Sequence, residues 1–174
     1  SGTLGGTTNA MNLTVVGDYF KAPFQNTLNF TSASMSVIMA GQAPQSFEAV
    51  DDVRDLKINN PTSVTLENSF RVLSDLALLS SGTTYVEGDV TVAAALTIPA
   101  GHTLVIKNGG SLLASAALTV NGTLKVEAGG ELRVANGITI TVSSTGTLQL
   151  QGASGNPARL SSANASSFFT LNMN

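Results

Sequence analysis

Side chains that could do chemistry are concentrated between positions 51 and 55. Asp51, Asp52, Arg54 and Asp55 supply three carboxylates and one guanidinium. Two carboxyl groups held a fixed distance apart hydrolyse glycosidic bonds, and polysaccharide lyases need a basic residue close to acids. We therefore name Asp51, Asp52, Arg54 and Asp55 as candidate ligand-binding residues, although solubilising charge on an exposed loop is the simpler interpretation.

Glu87 and Asp89 form a second acidic pair, and Gly88-Asp89 and Asp51-Asp52 are fragments of calcium-binding patterns. Calcium requires about six to eight oxygen ligands. The Gly-Gly-x-Gly-x-Asp nonapeptide of calcium-bound β-rolls is absent from the sequence. We expect no metal site and no cofactor.

His102 is the single histidine of the chain and stands beside a turn. A Ser-His-Asp site would have to use it, yet no nucleophile motif accompanies it. A structural zinc site needs about four nitrogen or sulfur ligands, and the chain has no cysteine. We expect His102 to be an exposed turn residue and the chain not to be an enzyme.

The composition, which is aliphatic and weakly charged, indicates which secondary-structure elements position these residues. Hydrophobic residues make up 43% of the 174 residues, aromatic residues 5% and charged residues 11%. Aliphatic residues among Gly, Thr, Ser and Asn favour many short strands joined by tight turns. The net charge of −3, with scattered Lys and Arg, argues against nucleic-acid binding. Because no apolar run reaches about 18 residues, we expect no membrane insertion by this segment.

An apolar-x-apolar triplet returns along the chain at intervals of 20 to 22 residues. Each period also carries further short alternating runs, bounded by Gly and Asn residues that suit sharp corners. An isolated triplet cannot bury its apolar face, whereas stacking triplets from neighbouring periods buries it in a continuous column. The triplets begin at Leu13, Met35, Leu56, Leu76, Leu96, Leu118 and Ile138, and the same spacing reaches Leu160.

This repeat predicts an all-β, single-stranded parallel β-helix, or solenoid, of about eight coils with a repeat of roughly 21 residues. Leu118 is expected between Leu96 and Ile138 on the inside, and Thr119 between two outward threonines, Thr97 and Thr139. An antiparallel meander is the alternative, but a meander does not demand the same residue types at the same phase.

The sequence divides into three parts. We expect a flexible or capping N-terminal segment at 1–10, the solenoid at 11–162, and a C-terminal cap or truncated further coil at 163–174. An irregular insertion is expected near 40–55, with a loop or short helical excursion from Phe47 to Asp55. The open ends of a solenoid make oligomerisation through them possible.

Three segments resemble long repeats of secreted bacterial surface proteins. Residues 13–20 (LTVVGDYF) look like their LTVNGDF segment, and residues 41–47 (GQAPQSF) like GxxAQTI. Residues 55–66 (DLKINNPTSVTL) are similar to LTINNxxGVTL, with Ser63 in place of the usual glycine. The G-x-L-x-V runs at Gly122 and Gly130 resemble adhesin and autotransporter passenger solenoids.

The resemblance covers about residues 11–162 and implies a non-catalytic structural or adhesive segment of a large secreted bacterial surface protein. It implies an extracellular or cell-surface location, with neighbouring domains and a host-cell or surface polysaccharide or protein as partners. A carbohydrate-active β-helix, lyase-like or glycosidase-like, is one alternative, and carboxylates converging in a groove would favour it. A subunit of a fibrous oligomer such as a tail spike is the other, and solution mass would distinguish it.

Overall fold

All regular elements of the computed structural model are β-strands, and the structure describes residues 11–20, 35–49, 51–164, 166 and 168–174. The strands stack in parallel from one coil to the next and form three sheets. No helix occurs among the described residues. The predicted all-β parallel solenoid is confirmed.

Sheet A is eight-stranded and sheet B seven-stranded. In spatial order, sheet A consists of β1 (Met11–Val15), β3 (Met35–Met39), β5 (Val53–Ile58), β7 (Phe70–Leu78), β9 (Asp89–Val92), β12 (Ser111–Ala114), β15 (Glu131–Val134) and β18 (Arg159–Ser162). Sheet B consists of β2 (Tyr19–Phe20), β4 (Gln45–Glu48), β6 (Ser63–Glu67), β8 (Thr83–Val86), β11 (Thr103–Ile106), β14 (Thr123–Glu127) and β17 (Thr147–Gln151).

Sheet C is the smallest and belongs to the second half of the chain. It consists of β10 (Leu96–Ile98), β13 (Leu118–Val120), β16 (Thr139–Val142) and β19 (Thr170–Met173). Where one coil has the nine-residue strand β7, the next has two shorter strands, β9 and β10, with a bend in the chain between them.

The solenoid has about six coils, running from β3 to β17, rather than the expected eight. The difference lies at its ends. Residues 21–34, which separate β2 from β3, lie outside the described residues. The last coil supplies β18 and β19 but no strand of sheet B.

The core is one continuous aliphatic cluster, produced by the period-two alternation of each strand. In β14, for example, Leu124 and Val126 are fully buried and pair in register with Leu104 and Ile106 of the preceding coil. Outward neighbours such as Lys125 stay partly exposed. Burying the same positions in every coil is what holds the coils together.

Parts of the predicted register are wrong by two residues. Leu13 pairs with Val37 and not Met35, and Leu118 pairs with Ile140 and not Ile138. Thr119 accordingly lies between Thr97 and Thr141, not Thr139. Residues two apart on a strand face the same side, so either partner would bury an apolar side chain.

Leu160 also departs from its predicted column. It pairs with Leu132 in sheet A, while Leu171 of β19 lies next to Ile140. The connection from β17 to β18 contains an additional tight turn, with a reciprocal pair of backbone hydrogen bonds between Ala153 and Asn156. The longer connection lengthens this coil, so position 160 falls in sheet A, which follows sheet B in every coil, and sheet C is reached only at β19.

Regular strands occupy much of the segment where an irregular insertion was expected, near 40–55. β4 pairs in register with β6, and β5 begins at Val53. The helical excursion expected from Phe47 to Asp55 is absent from the residues described there, since Ala49 and Asp51–Asp52 form only a corner. The segment at 1–10 lies outside the described residues.

Candidate functional site

The regular stacking is interrupted where sheet A passes into sheet C. β7 pairs with β9 only through Phe70, Arg71 and Val72. Its last residues, 76–78, pair with β5 on one side, whereas β10, the next strand along this wall, pairs with β13 and forms the edge of sheet C. An internal sheet edge therefore lies between the coil of β7 and β8 and the next coil, which contains β9, β10 and β11.

A β-bulge in β7 precedes this edge. Val53 pairs with Val72 but Asp55 with Asp75, so β7 has one residue more than β5 between the two pairs. Bulges re-aim side chains and are frequent beside binding sites. Here the bulge brings two carboxylate residues into register on neighbouring strands, whose spacing is about 4.8 Å.

Asp75 lines a surface depression of about 240 Å³. Asp75 is the only charged residue in its lining, and the volume is below the range of about 300–1,000 Å³ typical of small-molecule pockets. A small polar group or part of a sugar chain would fit better than a whole cofactor. The lining consists of Asp75, Leu76, Ala77, Leu78, Leu79, Ala95, Thr97 and Pro99.

The four candidate residues predicted from sequence do not form one site. Asp52 binds Arg71 of the next coil, with Oδ2 accepting from Nη2 at 2.5 Å and from Nε at 3.0 Å. Arg54 lies beside Asp55, with 3.9 Å between Nε and Oδ2. Burial raises the pKa of Tyr19 to about 12, and the negative charge of Asp51 contributes to this rise.

Asp52 thus joins two coils, and its hydrogen bond from Arg71 lowers the pKa of its carboxyl. We expect Asp52→Asn to reduce the free energy of unfolding by less than about 1 kcal/mol, because the pair is solvent-screened. The loss should be present at neutral pH and vanish as the pH falls through the lowered pKa, where the wild-type carboxyl becomes neutral.

Urea denaturation monitored by circular dichroism across acidic pH measures this effect. A double-mutant cycle with Arg71→Gln isolates the coupling energy of the pair, because each single variant already lacks the interaction and the double variant should therefore lose less stability than the sum of the two. A zero coupling energy at neutral pH would contradict the assignment of Asp52 as a link between coils.

His102 is buried, which corrects the expectation of an exposed turn residue. Its side chain is 1% exposed, and Nδ1 lies 2.7 Å from the Ser80 carbonyl oxygen. Because a carbonyl only accepts, Nδ1 carries the proton, and Nε2 accepts from the Thr84 hydroxyl at 3.0 Å. Thr84 is fully buried as well, so this pair has no access to a substrate.

His102 belongs to a row of hydrogen-bonded side chains, which we call the polar corner: Gln45, Asn60, Ser80 and His102. Asn60 donates to Gln45 Oε1 at 2.8 Å, and Ser80 Oγ donates to the Asn60 carbonyl at 2.6 Å. The Ser80 carbonyl in turn accepts from His102. Four successive coils are therefore connected at one corner by side-chain hydrogen bonds.

Within the described residues, no group of three or more His, Cys, Asp or Glu side chains could hold a metal ion. In the same part of the chain, no helix is long and apolar enough to cross a membrane.

Comparisons with known proteins leave the fold as the strongest result. No protein-family model, curated protein or solved structure matches this chain. The likeness to secreted bacterial surface repeats rests on the segments at 13–20, 41–47 and 55–66 and on the G-x-L-x-V runs at Gly122 and Gly130, and it stays a prediction. What is established is a parallel β-solenoid of stacked coils.

Proposed function

We propose that this chain is a rigid, non-catalytic segment of a larger secreted bacterial surface protein, where it acts as a stalk or presents a binding surface. The observation that supports this function best is the aliphatic core, which continues from Val37 in β3 to Val142 in β16. Each coil is joined to the next by parallel strand pairing in two or three sheets. Six coils at about 4.8 Å each give a rod on the order of 30 Å long.

Stiffness follows from the way neighbouring coils are connected. The backbone ladders resist bending, and the polar corner adds buried and partly buried side-chain hydrogen bonds across four coils. Long surface proteins use such segments to hold a binding domain away from the cell. Because a solenoid's sides are built from repeated strands, the same segment can present a flat binding surface.

A carbohydrate-active function is the second candidate, and the register of Asp55 with Asp75 favours it. Retaining glycosidases hold two carboxyl groups about 5–5.5 Å apart, close to the strand spacing of about 4.8 Å. The depression beside Asp75 would receive the sugar. The stalk function ranks first because the depression is small and Asp75 is the only charged residue lining it.

A glycan-array and cell-surface binding screen, with polysaccharide turnover measured in the same wells, separates these functions. We expect saturable binding without turnover. If the depression is the binding surface, Asp75→Asn should weaken binding at least about tenfold, which corresponds to about 1.4 kcal/mol.

Glu87→Gln is the matched control, because Glu87 is an exposed carboxylate that does not line the depression. The non-catalytic proposal would be overturned if the chain turned over a polysaccharide and Asp55→Asn or Asp75→Asn abolished this activity. If the chain binds nothing in the screen, the proposed function would be reduced to that of a spacer.

A further inference from the structure

The internal edge between β7 and β10 leaves backbone hydrogen-bonding groups without strand partners. The amide of Leu79 donates to the Ile58 carbonyl of the preceding coil. Because successive residues of a parallel strand direct their backbone groups to opposite sides, Leu76 and Leu78 direct theirs away from β5 and toward β10. Within the described stretch from 51 to 164, no strand pairing joins these two residues to β10.

β10 meets this edge with unpaired backbone groups of its own. The carbonyl of Ile98 accepts from the Asn121 amide of the next coil. Its neighbour Thr97 therefore directs its amide and carbonyl back toward β7. We call the backbone amides and carbonyls of Leu76, Leu78 and Thr97 the edge groups. They offer hydrogen-bond donors and acceptors in equal number, and a backbone group without any partner is costly to bury.

The surface depression of about 240 Å³ reaches these edge groups. Leu76 and Leu78 line it although both are buried in the core, so the part of each residue that they contribute to the lining is backbone. Ala77 and Ala95 also line it, and each carries only a methyl group. A ligand can therefore approach the backbone closely. Leu79, which is 58% exposed, adds an apolar side chain to the same lining.

We propose that the edge groups bind an uncharged sugar residue of a glycan, whose hydroxyl groups take the place of the neighbouring strand. A hydroxyl both donates and accepts, so a ring that carries several of them can bond to the amides and to the carbonyls alike. The Asp75 carboxylate accepts from further hydroxyls, and Leu79 and Pro99 contact the C–H groups of the ring.

Charge and spacing disfavour other ligands. An anion accepts from the amides but leaves the carbonyls without donors, and Asp75 repels it. A cation leaves the amides without acceptors. An inserted peptide strand needs about 9.6 Å between its two neighbours, which is twice the strand spacing, whereas Cα atoms of β7 and β10 approach within 8 Å of each other.

This inference rests on the proposed function, because it names the ligand class for a chain that presents a binding surface. Backbone groups supply most of the contacts, and Asp75 supplies the single charge. Such a site needs no cluster of aromatic or charged side chains. That agrees with a sequence that has no tryptophan and only 11% charged residues.

Nuclear magnetic resonance of the isotope-labelled full chain tests the proposal, with glucose, galactose, mannose and N-acetylglucosamine as separate probes. In the free chain, the amides among the edge groups should exchange with solvent faster than the Leu79 amide, which is bonded to Ile58. At least one sugar should shift the signals of these amides saturably and slow their exchange. We expect a dissociation constant in the millimolar range, because a single ring has few atoms.

Ala95→Leu should weaken the binding of that sugar at least about tenfold, because the larger side chain fills part of the depression. Ala95 is exposed, so the core is left unchanged. Ala93→Leu is the matched control, since Ala93 is also exposed and precedes β10 but does not line the depression. It should bind as the unmodified chain does, and the β-sheet circular dichroism of both variants should be unchanged.

The proposal is overturned if the edge amides of the free chain exchange as slowly as the Leu79 amide, or if none of the four sugars shifts them. Equal binding by Ala95→Leu and the unmodified chain would also overturn it. If glycans bind in the array while the edge amides stay unchanged, this inference fails and the binding-surface function stands. A saturable shift that Ala95→Leu weakens and Ala93→Leu retains supports both.

Discussion

Phe47→Ala is expected to lower the free energy of unfolding by about 3–5 kcal/mol. Phe47 is fully buried, stacks on Tyr19 with 4.9 Å between ring centroids, and meets Phe70 edge-on at 5.3 Å. Truncation would remove its packing in three successive coils, and each aromatic pair adds about 0.5–1.5 kcal/mol beyond area burial. Urea denaturation monitored by circular dichroism measures the loss.

The shape of the transition should change as well. Coils of a solenoid contact only their neighbours, so a defect in one coil weakens the coupling between the two sides. We expect the coils near Phe47 to unfold at a lower urea concentration, with the later coils unfolding separately.

Thr65→Ala is the control, because Thr65 points outward on the adjacent strand and is only partly buried. It should change stability by no more than about 0.5 kcal/mol. A loss below about 1 kcal/mol for Phe47→Ala would mean that this aromatic group does not anchor the early coils.

The solenoid was predictable because its signal is repeated. The columns through Leu56, Leu76, Leu96 and Leu118 follow from spacing alone, and pairs such as Leu56 with Leu76 and Leu96 with Leu118 are confirmed. Any single triplet would have been ambiguous between strand and buried helix. Recurrence at one phase removed that ambiguity.

The pairing register of the strands, and the sheet to which each strand belongs, were harder to predict. At Met35 and Val37, both residues face inward, so spacing cannot choose between them. Beyond Gln151 the added turn lengthens the coil, so that Leu171 and not Leu160 lies next to Ile140, and a fixed sequence period carries no information about such an insertion. The number of coils was overestimated because the partial coils repeat the sequence pattern of complete coils.

The candidate site was predicted only in part. Asp55 was named, but Asp75 was missed, although it follows Asp55 by the same 20 residues that separate Leu56 from Leu76. Applying the repeat to polar positions would have found it. The surface depression could not be foreseen, because it depends on a bulge and an unpaired strand edge.

Burial of His102 has a consequence for acid stability. Burial is the main cause that lowers its pKa below 6.5, while the hydrogen bond to Ser80 opposes the shift. Above pH 6.5 the ring is neutral in both folded and unfolded chains. Below it the unfolded chain takes up a proton that the folded chain does not, so the free energy of unfolding should fall by up to about 1.4 kcal/mol per pH unit.

The decline should stop once the pH passes below the folded pKa, where both states are protonated. Asp52 and Glu127 have lowered pKa values because of hydrogen bonds from Arg71 and from Lys125 and Lys107, respectively. Their contributions are therefore lost only below about pH 4. The histidine effect occupies its own window, between pH 6.5 and the folded pKa.

Chemical denaturation of His102→Gln at several pH values tests this assignment. Glutamine does not titrate, so the decline just below pH 6.5 should disappear. At neutral pH the variant should lose about 1–3 kcal/mol, because the Ser80 carbonyl or the Thr84 hydroxyl loses its buried partner. Thr84→Val is the control: it removes the hydroxyl but keeps the histidine, so the decline should remain. If His102→Gln retains the decline, the proton is taken up elsewhere and His102 does not make the solenoid acid-sensitive.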